Sequence, residues 1–121
     1  MKTPASSPSN RRASRRKGLR QPCTLVLPDG SVRQGTSADV GVDGLSLHCA
    51  RPISPGTACR VSFDLPLHDR QVSIKGGLKV VYSSYSGAAG FKIGAMFTDL
   101  DEPSAEALRE FSGPGGQPMP S

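Results

Sequence analysis

Between residues 23 and 97, apolar side chains recur at every second position in short runs, and glycine, proline and aspartate interrupt them. Leu45-Ser46-Leu47-His48-Cys49 is one such run; residues 57–67 keep Cys59, Val61, Phe63 and Leu65 in phase, and residues 91–97 do the same through Phe91, Ile93, Ala95 and Phe97. A period of two sends one set of side chains to a core and the other to solvent, as in a half-buried strand. Residues 23–27 and 31–39 flank Pro28-Asp29-Gly30 and read as a tight hairpin. Residues 72–82 form a longer strand in which Gly76-Gly77 predicts a bulge or sharp coil. The connections fall at Asp39-Val40-Gly41-Val42-Asp43-Gly44, residues 52–56, His68-Asp69 and residues 87–90. Six short strands at roughly ten-residue spacing predict an all-β protein, a small six-stranded antiparallel β-barrel closed on itself. One helix follows: Pro103 stands near its first turn, it runs to residue 111, and Gly113-Pro114 stops it.

With 36% hydrophobic content, the 121 residues can build one modest core and hence one domain, expected over residues 11–112. Residues 1–14 carry almost nothing apolar and are predicted to be disordered when nothing is bound, with order starting near residues 18–22. Residues 1–10 and 113–121 are read as disordered tails. No run of 18 apolar residues exists, and MKTPASSPSN has no apolar signal core, so the expectation is a cytoplasmic protein without membrane insertion. Cys23, Cys49 and Cys59 are odd in number, lack C-x-x-C spacing and lie in strands, which predicts buried thiols rather than disulfides or a metal site. His48 and His68 have no partner at a ligand or catalytic spacing. With no assembled nucleophile, base and oxyanion donor, no enzyme chemistry and no cofactor are expected.

Charge is unevenly spread. Residues 1–20 hold seven of the fifteen Lys and Arg and no acid, which leaves the rest at net −2. Six of the seven, Arg11, Arg12, Arg15, Arg16, Lys17 and Arg20, form a basic arm at residues 11–20 that reaches for anions. In Arg12-Ala13-Ser14-Arg15-Arg16, of the form R-x-x-x-R, two guanidinium groups can converge on one compact ligand if the arm curls round it. Each can grip a phosphate or the O6/N7 edge of guanine. Asp39, at a strand end, can accept from guanine N1–H and N2–H, and Gly44 allows positive φ or close approach by a ligand.

R-x-x-x-R, a hairpin through Pro28-Asp29-Gly30, then Asp39-Val40-Gly41-Val42-Asp43-Gly44 before Leu45-Ser46-Leu47, and finally residues 91–100 ahead of a helix, resembles the PilZ domain family along nearly all of residues 11–112. The resemblance implies a six-stranded barrel with a C-terminal helix that binds the bacterial second messenger cyclic di-GMP. Arg12 and Arg16 would hold phosphate and guanine, Arg11 would add a stacking or phosphate contact, and Asp39 with Gly44 would read guanine on the barrel surface. Gly41 stands where the family pattern D/N-x-S-x-x-G has Ser, so one hydroxyl contact is missing. A neutral hydrogen bond is worth about 0.5–1.5 kcal/mol and a charge-assisted one about 1.5–3, so the arginines should dominate. The cost of ordering the arm then sets affinity near the micromolar range.

The sequence thus reads as a stand-alone cyclic di-GMP receptor whose arm folds over the ligand and presents a changed surface to a downstream protein. The partners this reading implies are that downstream protein and, in a homodimer, a second copy of the chain. A second class is a protein-interaction module in pilus or motility assembly that keeps the barrel without the ligand. The third class, binding of long nucleic acid, is disfavoured because aromatic residues are only 5% of the chain and offer no stacking cluster.

Overall fold

The computed structural model describes residues 16–116, with side chains to residue 112. Seven strands precede one helix: β1 Lys17–Gly18, β2 Pro22–Val26, β3 Val32–Val40, β4 Gly44–Cys49, β5 Ala58–Pro66, β6 Gln71–Tyr85, β7 Phe91–Leu100 and α1 Glu102–Gly116. A short 3₁₀ turn, Gly87–Ala89, joins β6 to β7. All pairings are antiparallel. They run β3-β2-β5-β6-β7-β4, and β4 returns to pair with β3, which closes a six-stranded barrel with β1 added to β3 outside it. The six strands expected from the alternation are all present. β1 is additional, and the last part of the basic arm forms it.

The alternation has the predicted consequence. Leu25, Leu45, Leu47, Leu65, Ile74, Leu78 and Ile93 all lie in the core at 1% exposure or less. The three cysteines are free and buried there too, and burial pushes the Cys23 thiol up to about 11. The hairpin after β2 closes as expected: the Gly30 amide donates to Leu27 O and the Leu27 amide to Ser31 O. β6 has a register shift between Gly77 and Leu78, where two glycines predicted a bulge, and a second between Val80 and Tyr82 that the sequence reading did not foresee.

At the head of α1, Asp101 Oδ1 accepts from the Ser104 amide (2.9 Å), and the Ser104 hydroxyl accepts from the Lys75 amide (3.1 Å). The helix is thereby capped and fastened to β6, and Ala107 and Leu108 enter the core. α1 extends to Gly116, past the Gly113-Pro114 stop expected from sequence. Within it the buried Ser112 hydroxyl donates to Leu108 O one turn back (2.8 Å), which satisfies a buried polar group.

Candidate functional site

The turn between β3 and β4 is built from the strands inward. The Gly41 amide donates to Gly44 O (2.9 Å), which closes the turn, and the Phe97 amide donates to Asp43 O (2.9 Å), which holds it against β7. Gly41 and Gly44 are both buried. Gly44 does not have positive φ. A Cβ there would lie 2.1 Å from Ala95 O, so the close approach of β7, and not of a ligand, requires glycine at this position. The positive φ expected of Gly44 is corrected accordingly: packing against β7 fixes glycine here and sets the turn.

Asp39 reaches the outside of the barrel by a bulge. Ser37 pairs with the core residue Leu47 and faces inward, and Val40 pairs with Leu45 and does the same. Between them the register slips by one, so Asp39 stands opposite Ser46 on the outer face. The Ser46 hydroxyl donates to Asp39 Oδ2 at 2.8 Å. Strict alternation from Ser37 would have pointed Asp39 into the core.

β1 brings the arm to this carboxylate. Lys17 pairs with Val40 and Gly18 with Asp39, and the Leu19 amide donates to Ala38 O (3.1 Å). Ser37 fastens the following residues: its buried hydroxyl donates to Leu19 O and accepts from the Gln21 amide (2.9 Å). Arg16 is therefore carried to the mouth of the turn. Its Nη1 lies 3.2 Å from Asp39 Oδ1 and its Nε 3.3 Å from Asp43 Oδ1. Burial by itself works against the charged guanidinium, but the two carboxylates outweigh it and hold the Arg16 pKa above its ordinary value. The Arg16 and Ser46 bonds use about half the acceptor sites of the Asp39 carboxylate, leaving capacity for another donor.

Of the residues singled out from sequence, Arg16, Asp39, Gly41 and Gly44 come together here; Arg11 and Arg12 lie outside the described residues. Order was expected to begin near residues 18–22; β1 starts at Lys17, and the Arg16 side chain bonds Asp39 and Asp43. Backbone pairing and the Ser37 hydroxyl already hold residues 17–20. Lys17, in the same arm, is exposed but not idle. Its Nζ donates to Phe111 O (3.1 Å) and sits 5.1 Å from the centre of the Phe111 ring, joining arm to helix. Asp43 and Ser46 were not foreseen. Ser46 was within reach of sequence reasoning, because a turn that pairs Val40 with Leu45 brings Asp39 near it. Beside the site, Gly18, Leu19, Arg20, Thr36, Ala38 and His48 help line a groove of about 780 Å³.

No curated protein sequence matches the chain. Among solved structures it resembles the Bacillus subtilis inhibitor of motility (MotI/DgrA), with TM-score 0.75 and 14% identity over 85% of this chain and 50% of that one. The chain thus spans half the length of that protein. It also resembles the PilZ domain of YcgR from Escherichia coli, solved with c-di-GMP (TM-score 0.63, 13% identity, 85% of this chain and 89% of that one). A third likeness is the PilZ domain of CeSA from a cellulose-synthesizing bacterium (TM-score 0.53, 14% identity, 84% of this chain and 98% of that one). At these identities the likeness is one of fold. Because the family model for the PilZ domain matches residues 10–113, nearly the whole chain and both halves of the site, the chain belongs to the PilZ domain family.

Proposed function

We propose that this protein is a cyclic di-GMP receptor. Arg16, joined by Arg11 and Arg12 from the preceding arm, grips phosphate and guanine. Asp39 accepts from guanine N1–H and N2–H, and the turn from Gly41 to Gly44 keeps the barrel surface low beside it. The observation that carries this reading is the meeting of Arg16 with Asp39 at 3.2 Å across 23 residues of chain, at the turn that bears the family motif. It is supported by membership of a family with a relative in fold solved with that ligand. Binding repositions the arm and so changes the surface shown to a downstream protein. No catalytic step belongs to this scheme.

Calorimetry with cyclic di-GMP tests it. The wild type should bind near the micromolar range, and Arg16→Ala should weaken binding by about 10- to 100-fold, the worth of a charge-assisted contact. Equal heats for both proteins, or none for either, would exclude the receptor.

One observation favours a second reading, an interaction module in pilus or motility assembly that works without ligand. Arg16 is already paired with two carboxylates of its own chain, and Gly41 lacks the hydroxyl of the family pattern. Cellular function retained when Arg12 and Arg16 are both replaced by alanine would select it.

A further inference from the structure

The groove beside the arm does not end at His48. It runs on into a second hollow of about 590 Å³, and the two share Thr36, His48 and Ala89, so one continuous groove crosses the outer faces of β3 and β4. Gly18, Leu19 and Arg20 wall it at the arm end, and the 3₁₀ turn Gly87–Ala89 walls it at the other. That turn is fixed in place. The Ser86 amide donates to Gly90 O (2.7 Å) and the Gly90 amide to Gly87 O (3.0 Å). Gly90, at φ 85°, lies so close to β4 that a Cβ there would stand 2.4 Å from Cys49 O. Positive φ and close approach both require glycine, and together they seat the turn on the sheet.

Charge along the groove has one sign. Arg20 and His48 line it, and Lys92, paired with His48 across β4 and β7, extends the row. Among the described residues none of the three takes part in an ion pair. No acid lines either hollow, and Asp39, next along β3, is already engaged by Arg16. At the end away from the arm stands an apolar anchor point: Tyr85, 75% exposed, lies edge-on to Phe91 with ring centres 5.5 Å apart. Exposed tyrosines beside unpaired cations are characteristic of surfaces that carry binding energy.

We propose that this groove docks an extended acidic segment of a partner protein, with an apolar side chain of that segment against Tyr85. Its span of about three strand spacings, roughly 15 Å, suits four or five extended residues. Charge complementarity selects the occupant. Residues 1–15 of the chain itself carry Lys2, Arg11, Arg12 and Arg15 and no acid, so Arg20 and Lys92 repel them. That the occupant is the downstream protein of a messenger receptor rests on the reading above; the docking itself needs no nucleotide.

Random octapeptides displayed on phage and panned on the nucleotide-free full chain should enrich acidic sequences that carry an aromatic or aliphatic residue. In fluorescence anisotropy the enriched peptides should bind Arg20→Glu and Tyr85→Ser about tenfold or more weakly than the wild type. No enrichment, enrichment of neutral or basic sequences, or unchanged affinity in either variant overturns the proposal. Tighter binding of oligouridylate than of any enriched peptide assigns the groove to nucleic acid and overturns it too. If Arg20→Glu fails to fold, Tyr85→Ser, at an exposed position, decides alone. Calorimetry with cyclic di-GMP should give the same affinity for Tyr85→Ser as for the wild type; a parallel loss makes the groove part of the nucleotide site and overturns the docking role. A wild type that binds no cyclic di-GMP rejects the receptor and leaves the docking site standing on the peptide result.

Discussion

Arg16 serves two masters at the mouth of the β3–β4 turn. Its bond to Asp39 orients a residue that would read guanine under the proposed function, whereas its bond to Asp43 is one that a phosphate gripped by Arg16 would have to displace. An exposed pair of this kind is worth little, so its removal should help binding modestly. Asp43→Asn is expected to tighten cyclic di-GMP binding by about two- to fivefold in calorimetry; weaker binding would instead make Asp43 a ligand contact. The residue types of the site were legible where their chemistry is distinctive, as with an arginine arm and an aspartate at a strand end. Asp43 was not, because an acid in a turn is ordinary until the arm is seen to lie over it. The positive φ expected at Gly44 is absent, and only the structure shows the β7 carbonyl that excludes a side chain there.

The six barrel strands were legible from short stretches of alternation and from the turns that bound them. The features that build the site are the places where alternation fails. β1 is two residues long and has no pattern of its own; it exists because β3 offers an edge and Ser37 fixes the chain beside it. The bulge that turns Asp39 outward depends on register between β3 and β4, which periodicity within one strand cannot reveal. Ser37→Ala strips one hydroxyl from a buried position and leaves Leu19 O and the Gln21 amide without it. A loss of about 1–3 kcal/mol in denaturant unfolding is expected, together with faster hydrogen exchange at the Leu19 and Gln21 amides. Slowed or unchanged exchange there would show that pairing with β3 alone holds the arm.

For the molecule as a whole, the closed barrel concentrates its titratable burial in the cysteines. Cys23, 1% exposed, has its thiol pushed up to about 11 by burial, and burial raises Cys49 and Cys59 in the same direction. An acid whose pKa rises on folding stabilises the folded state while protonated. That stability is complete below the ordinary value of 9.0 and is lost as pH climbs through about 11. For Cys23 the loss amounts to about 2–3 kcal/mol. Denaturation midpoints should therefore fall between pH 9 and 11, and Cys23→Ala, although less stable at neutral pH, should show a flatter decline; an identical decline would assign the effect elsewhere. One further consequence concerns the ammonium of Lys17, seated on the last described turns of α1. Whatever grasps the carboxyl end of that helix and pulls Phe111 from Lys17 alters the free energy of placing the neighbouring guanidinium. Linkage requires the traffic to run equally in both directions: a protein docking on the helix would tune messenger affinity by the same factor with which the messenger tunes its docking.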